Sequence, residues 1–287
     1  MTNVTDCATC AIRHSGYCGL LDDKTKSAVV GCKRILTLPA NKLLWDDEQA
    51  PEFMGVLQSG YLRFQRCSMD GRRQILCLLQ PGDIIGDPQD HVRGYSVETA
   101  TAVQICRFRE RRFDQLMRDV PEVARSVYHM RRARLDQLNW LTWSLGVLSV
   151  EERLCAFLAM ATTHMPFIPD GQQGGTLTIQ LLRRDMADFL ATSVETISRS
   201  FRKLALEGAI SIMGPGLFRI PDIQRLVERG CLTDISVRFV RDPVLSSVQT
   251  ELQGRNAPSN TTPACSAQGS AAQSLRSRTV TAGPSRP

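Results

Sequence analysis

Between Ile35 and Phe108 the apolar positions come in short runs: Met54 to Leu57, Tyr61 to Gln65, Gln74 to Leu79, Ile84 to Ile85, and Ser96 to Phe108. In the last run Val97, Ala100 or Thr101, Val103 and Ile105 alternate with the two-residue period of a half-buried strand. Gly60, Gly71 and Gly82 recur at the turns, and Asp70-Gly71 is a hairpin signal. Such regular spacing predicts a β-sandwich or barrel over residues 31–118.

After Phe113 the period lengthens. Pro121 suits a first helical turn, and Val123, Val127 and Met130 share one face. Further on, Leu138, Leu141, Leu145 and Leu148 repeat at coiled-coil spacing, with Arg134 between the two stripes. A helix of about 25 residues with this seam, Trp140 and Trp143 has more apolar surface than a monomer leaves bare. Residues 119–148 are therefore expected to be a dimerisation helix; packing of the same leucines on the chain's own core is the alternative. Ser149-Val150-Glu151-Glu152 is a capping box opening the next helix. Helices are expected over 149–163, 183–190 and 193–207. Strands at Ile210 to Met213 and Leu217 to Ile220 then flank the turn Gly214-Pro215-Gly216. The fold class is thus α+β: an N-terminal β domain, a long helix, and a C-terminal helical domain over 149–230 ending in a wing-like hairpin. Residues 1–30, with Cys7, Cys10 and Cys18, show no helical or strand period and read as an arm. The Ser-, Thr- and Pro-rich stretch 231–287 reads as a disordered tail.

Composition narrows the class. Of 287 residues, 43% are hydrophobic and 22% charged, which excludes fibrous and wholly disordered chains. No apolar run approaches the ~18 residues of a membrane span. Met1 to Cys7 lacks the features of a secretory signal, so a cytoplasmic protein with reduced thiols is expected. The net charge of +6 suggests a polyanionic partner, yet residues 149–222 hold seven Lys and Arg against eight Asp and Glu. Any case for DNA must come from placement.

That placement lies in Arg184 to Leu204. Met186, Phe189 and Leu190 form one apolar face, and Val194, Ile197, Phe201 and Leu204 another, as in a helix-turn-helix. Opposite the second face stand Glu195, Ser198, Arg199 and Arg202, with Lys203 alongside. A carboxylate suits cytosine N4, and a guanidinium suits guanine. A solvated helix whose Glu195 closes a capping box with Thr192 is the plainer alternative.

Here the sequence resembles the CRP/FNR transcription regulators, most closely the FNR type. Val194-Glu195-Thr196-Ile197-Ser198-Arg199 is similar to that family's recognition-helix motif. Glu151-Glu152-Arg153-Leu154 with Ala156-Phe157 looks like the start of its DNA-binding domain, and Pro81-Gly82-Asp83-Ile84-Ile85-Gly86 like a turn of its β-roll. The resemblance implies a homodimer with a jelly-roll-like sensor and a winged helix-turn-helix. Glu195, Thr196, Ser198, Arg199 and Arg202 would meet a TTGAT-like inverted repeat in double-stranded DNA. Ala191 departs from the pattern, since glycine is common there.

The spacing of Cys7, Cys10 and Cys18 supplies three soft ligands. By resemblance the fourth is Cys106, and the four would hold a [4Fe-4S] cluster that makes DNA binding oxygen-responsive. Two other readings stand beside it: Cys106 as a buried small hydrophobe, and a zinc knuckle completed by His14. Cys32, Cys67, Cys77, Cys155, Cys231 and Cys265 have no paired spacing, and Cys77 and Cys155 read as core. A cyclic nucleotide, as in the CRP branch, is disfavoured because Asp83, Asp87 and Asp90 would repel a phosphate and Arg93 lacks a hydroxyl neighbour. No catalytic constellation is visible, so an enzyme is not expected; a redox protein using the same cluster, or a regulator sensing a small molecule or thiol, are the rivals. RNA polymerase is a partner by family analogy; the hairpin Arg66 to Arg73 is a candidate contact, with a solvated turn as the plainer reading.

Overall fold

The computed structural model describes residues 7–46, 51, 53–86 and 94–232. Among the described residues, eight strands form the N-terminal domain: β1 (Lys33–Leu38), β2 (Leu43–Trp45), β3 (Gly55–Ser59), β4 (Leu62–Cys67), β5 (Arg73–Leu79), β6 (Ile84–Ile85), β7 (Ser96–Thr99) and β8 (Val103–Phe108). They make two four-stranded sheets, β1-β8-β3-β6 and β2-β7-β4-β5, with antiparallel pairing throughout. Leu57, Ile85, Val103 and Ile105 from the first sheet pack with Trp45, Leu62, Cys77, Leu79 and Val97 from the second. The run expected as one strand from Ser96 to Phe108 is two. At Ala100 the chain leaves one sheet for the other, held by the Ala100 N–H donating to the Tyr61 carbonyl at 2.8 Å. The two-residue period passes through this corner because Val97 and Val103 face the same core from opposite sheets.

The outer face of the first sheet is also covered. Val56, Cys106 and Phe108 pack with Ile12, Tyr17 and Leu21 from the arm and with Phe113, Val123, Val127 and Met130 from two helices, α3 (Glu110–Asp119) and α4 (Pro121–Val147). Two further helices, α1 (Gly16–Gly19) and α2 (Asp23–Val30), lie in the arm itself. The arm is thus partly helical, against expectation. α1 is a single turn and α2 only eight residues long, so neither carries an amphipathic repeat.

The leucine seam also needs correction. Leu141 and Leu148 are buried within the chain, Leu138 packs on the inter-sheet core, and Leu145 packs on the C-terminal core. The repeat is an internal stripe. The large apolar side chains that α4 leaves exposed are Tyr128, Leu135, Trp143 and Val147. Arg134, which broke the two stripes, reaches Asp83 at 3.1 Å and donates to Cys77 Sγ at 2.9 Å.

The capping box forms as expected: the Glu152 N–H donates to Ser149 Oγ, and the Ser149 N–H donates to Glu152 Oε2 at 2.7 Å. It opens α5 (Val150–His164), followed by β9 (Phe167–Pro169), β10 (Gly175–Thr178), α6 (Arg183–Phe189), α7 (Val194–Leu206), β11 (Ser211–Gly214), β12 (Leu217–Ile220) and α8 (Ile223–Arg229). The strands make a third sheet, β11-β12-β10-β9. Leu154, Leu158, Met186, Ile197, Leu204 and Phe218 fill this domain's core, which continues into Tyr61 and Ile75 of the β domain. The expected tail from residue 233 onward, Cys265 in it, and Asp87, Asp90 and Arg93 lie outside the described residues.

Candidate nucleic-acid interface and thiol site

Two short helices meet across a four-residue turn. In α6, Met186, Ala187 and Phe189 are buried; in α7, Ile197, Phe201 and Leu204 are. Ala191 takes a left-handed φ of 49°, the conformation for which glycine is preferred. The Thr192 N–H then donates to the Ala187 carbonyl at 3.0 Å and closes the turn. Ser193 rather than Thr192 caps α7, its Oγ accepting from the Thr196 N–H at 3.1 Å. Phe201 stacks on Phe218 of the wing at 4.8 Å between centroids, with the Arg183 guanidinium 3.9 Å over the Phe201 ring. These contacts fix α7 against β12.

The opposite face of α7 turns outward. Glu195, Arg199 and Arg202 are exposed and Ser198 and Thr196 half-buried. Arg199 donates to Thr196 Oγ1 at 3.2 Å, and Ser198 Oγ donates to the Val194 carbonyl. Its own backbone N–H, the Ser193 hydroxyl and the Arg199 charge hold the Glu195 carboxyl below its ordinary range. Lys203 departs from expectation, because it pairs with Glu151 of α5 at 2.7 Å. The exposed set therefore offers one carboxylate and two guanidinium groups.

The second site lies where the arm meets the first sheet. Gly16 and Gly82 touch: the Tyr17 N–H donates to the Gly82 carbonyl at 2.9 Å, and a Cβ on Gly16 would stand 2.4 Å from the same oxygen. Both take positive φ, 52° and 98°. This contact seats Cys10 and Cys18 against the cluster of side chains that contains Cys106. Burial pushes the Cys18 thiol up to about 12, with Cys106, Cys10 and Cys7 adding to the rise. Burial likewise raises Cys106 to about 11, opposed by Lys33 and assisted by Cys10 and Cys7. The four thiols therefore share one electrostatic neighbourhood. Lys33 Nζ donates to Cys7 Sγ at 2.9 Å, and Gln58 Nε2 donates to Cys10 Sγ at 3.2 Å. The Tyr17 hydroxyl and Gln58 Oε1 are buried there without a hydrogen-bond partner. His14 is exposed, and among the described residues no three Cys, His, Asp or Glu side chains close around a single metal ion. Cys77 and Cys155 are buried, as expected of core thiols, and Cys67 and Cys231 are exposed. Neither Lys33 nor Gln58 stood out in the sequence, because each reaches the cysteines from a distant strand.

A β-roll, a connecting helix and a winged helix-turn-helix define a DNA-binding transcription regulator rather than an enzyme. A match to the cyclic nucleotide-binding domain family spans residues 35–120, and one to the Crp-like helix-turn-helix domain spans residues 152–229. With both halves matched, the chain belongs to the CRP/FNR family. It is 27% identical to the transcriptional activator protein FnrL of Cereibacter sphaeroides, covering 77% of this chain and 90% of that protein. It is 29% identical to the nitrogen fixation regulation protein FixK of Bradyrhizobium diazoefficiens, covering 74% and 88%. The fold matches the structure of FixK2 from Bradyrhizobium japonicum with a TM-score of 0.62 at 21% identity, over 68% of this chain and 96% of that one. No helix among the described residues is long and apolar enough to cross a membrane.

Proposed function

We propose that the chain is a homodimeric, FNR-type transcription activator whose affinity for an inverted DNA repeat depends on a [4Fe-4S] cluster held by Cys7, Cys10, Cys18 and Cys106. The observation that carries this reading is the seating of the arm on Gly82, which brings three arm thiols into the neighbourhood of Cys106. Four thiols suit a soft iron-sulfur centre, and the unpartnered Tyr17 hydroxyl is a donor suited to an acceptor-rich group beside it. When bound, the cluster would supply an oxygen-labile link between arm and β-roll.

The chain's own residues carry that link onward. Gly82 holds the arm; the next residue, Asp83, accepts from the Gln80 N–H at 2.9 Å and pairs with Arg134 of α4. Release of the arm thus bears on the helix through one turn. Tyr128, Leu135, Trp143 and Val147 make the dimer face on α4. Dimerisation sets two copies of α7 about 34 Å apart, the spacing of successive major grooves. Glu195, Thr196, Ser198, Arg199 and Arg202 then meet a TTGAT-like half-site. Activation rests on analogy with FnrL, and the tip of the β4–β5 hairpin, with Met69 and Arg72 exposed, is the surface offered to RNA polymerase.

Anaerobic reconstitution tests this. Stoichiometric iron and sulfide, a visible absorption band, and repeat binding lost on exposure to air are expected, as is loss of cluster retention in Cys106→Ala. A colourless protein carrying zinc, or binding indifferent to air, would overturn the reading.

A further inference from the structure

We infer that Lys33 and Gln58 are positioning residues for the thiolate centre, donating hydrogen bonds to its sulfurs and thereby setting how firmly iron is held and at what potential. This rests on the cluster reading above. The two residues come from different strands and reach different cysteines. Lys33, on β1, places its ammonium 2.9 Å from Cys7 Sγ, and its charge also acts on Cys106. Gln58 is the extra residue where the β3–β8 register shifts between Leu57 and Ser59. Leu57 points into the inter-sheet core, while Gln58 turns to the arm and lies only 8% exposed. A buried carboxamide is costly unless its polar atoms are paired. Here Nε2 is paired to Cys10 Sγ and Oε1 is not paired, so the donor end is the one the site uses. A bulge that turns an amide onto a cysteine follows no hydrophobic pattern.

The physical effect follows from charge. Thiolates and sulfides are acceptors, and a four-thiolate centre carries net negative charge. Donors to its sulfurs favour the more reduced, more negative state and stabilise the ligating thiolates over free thiols. Removing the Lys33 ammonium should therefore lower the midpoint potential, make the centre easier to oxidise, and loosen iron.

The test uses full-length protein reconstituted anaerobically with iron and sulfide. Three readouts are taken: iron release to a chelator, midpoint potential, and bleaching in air. Lys33→Met and Gln58→Leu are expected to release iron about 10-fold faster than the parent, and Lys33→Met to shift the potential negative. Lys33→Arg restores a donor and should recover most of the difference. Arg34→Met, at an exposed neighbouring position, should change nothing. Thermal unfolding of each iron-free variant shows whether it folds, and Lys33→Arg keeps the test valid if Lys33→Met does not. Parent-like release and potential in Lys33→Met and Gln58→Leu, with the parent fully loaded, would overturn this inference and leave the cluster reading standing. A parent that takes up no iron would overturn both.

Discussion

Arg63 and Asp185 form a two-pronged ion pair across the domain junction, with Arg63 Nη1 3.0 and 3.1 Å from the two carboxylate oxygens. The arginine belongs to the β-roll and the aspartate to the first helix of the reader, and they are 3% and 1% exposed. Arg73 adds a second guanidinium to Asp185 at 2.7 Å and reaches Asp188 as well. One carboxylate thus serves two arginines from the β4–β5 hairpin. Arg63 also donates to Glu98, Asn41 and the Thr99 carbonyl, so it keeps partners without Asp185.

Asp185→Ala should therefore destabilise the protein by less than about 3 kcal/mol, the cost of an orphaned buried charge, because Arg63 keeps Glu98 and Arg73 keeps Asp188 while the ion pair that ties the two domains is lost. The reader should also melt apart from the β-roll. Urea unfolding followed by probes in each domain checks this: two separated transitions are expected, against a single one for the parent.

Ala191→Gly should stabilise the reader by about 1 kcal/mol, since a left-handed residue with a Cβ is strained. A higher melting temperature with unchanged sequence preference is the expected result. A lower one would mean that the methyl group packs better than its backbone strain costs.

Glu151→Gln should release Lys203 for phosphate contact. Affinity for random-sequence DNA then rises, and the plot of log affinity against log salt steepens by about one unit. Fluorescence anisotropy over a salt series reads both effects. An unchanged slope would place Lys203 away from the backbone whatever its partner.

Burial pushes the Cys155 thiol up to about 11. The folded state then keeps a proton that the unfolded chain gives up, so this contribution is complete below the ordinary thiol range and is lost as pH rises toward the folded value. Stability of the iron-free protein should fall between about pH 9 and about pH 11, and fall less in Cys155→Ala. At neutral pH a thiol reagent should label Cys67 and Cys231 and leave Cys77 and Cys155 untouched until the protein unfolds.

What the sequence disclosed followed from periodicity. The wing strand Leu217 to Ile220 was legible to the residue, as was the box at Ser149, because each has a local signature of apolar alternation or capping chemistry. The exposed row on α7 was legible because the core face opposite it is regular, though Lys203 was not, its partner Glu151 lying 52 residues away. The leucine repeat of α4 announced an apolar stripe without saying what covers it. Period gives a direction around the helix; only tertiary packing decides whether that direction meets a partner chain or the chain's own core. The helices of the arm were hidden because docking on the β-roll stabilises them.

The meeting of Gly16 with Gly82 bears on how related chains should be compared. Counting cysteines is a poor way to decide whether another chain builds the same thiol site. A chain could keep all four and still fail, if a side chain at either glycine position pushed the arm off its seat. The diagnostic is the four cysteines together with two glycines that lie 66 residues apart and carry no chemistry of their own.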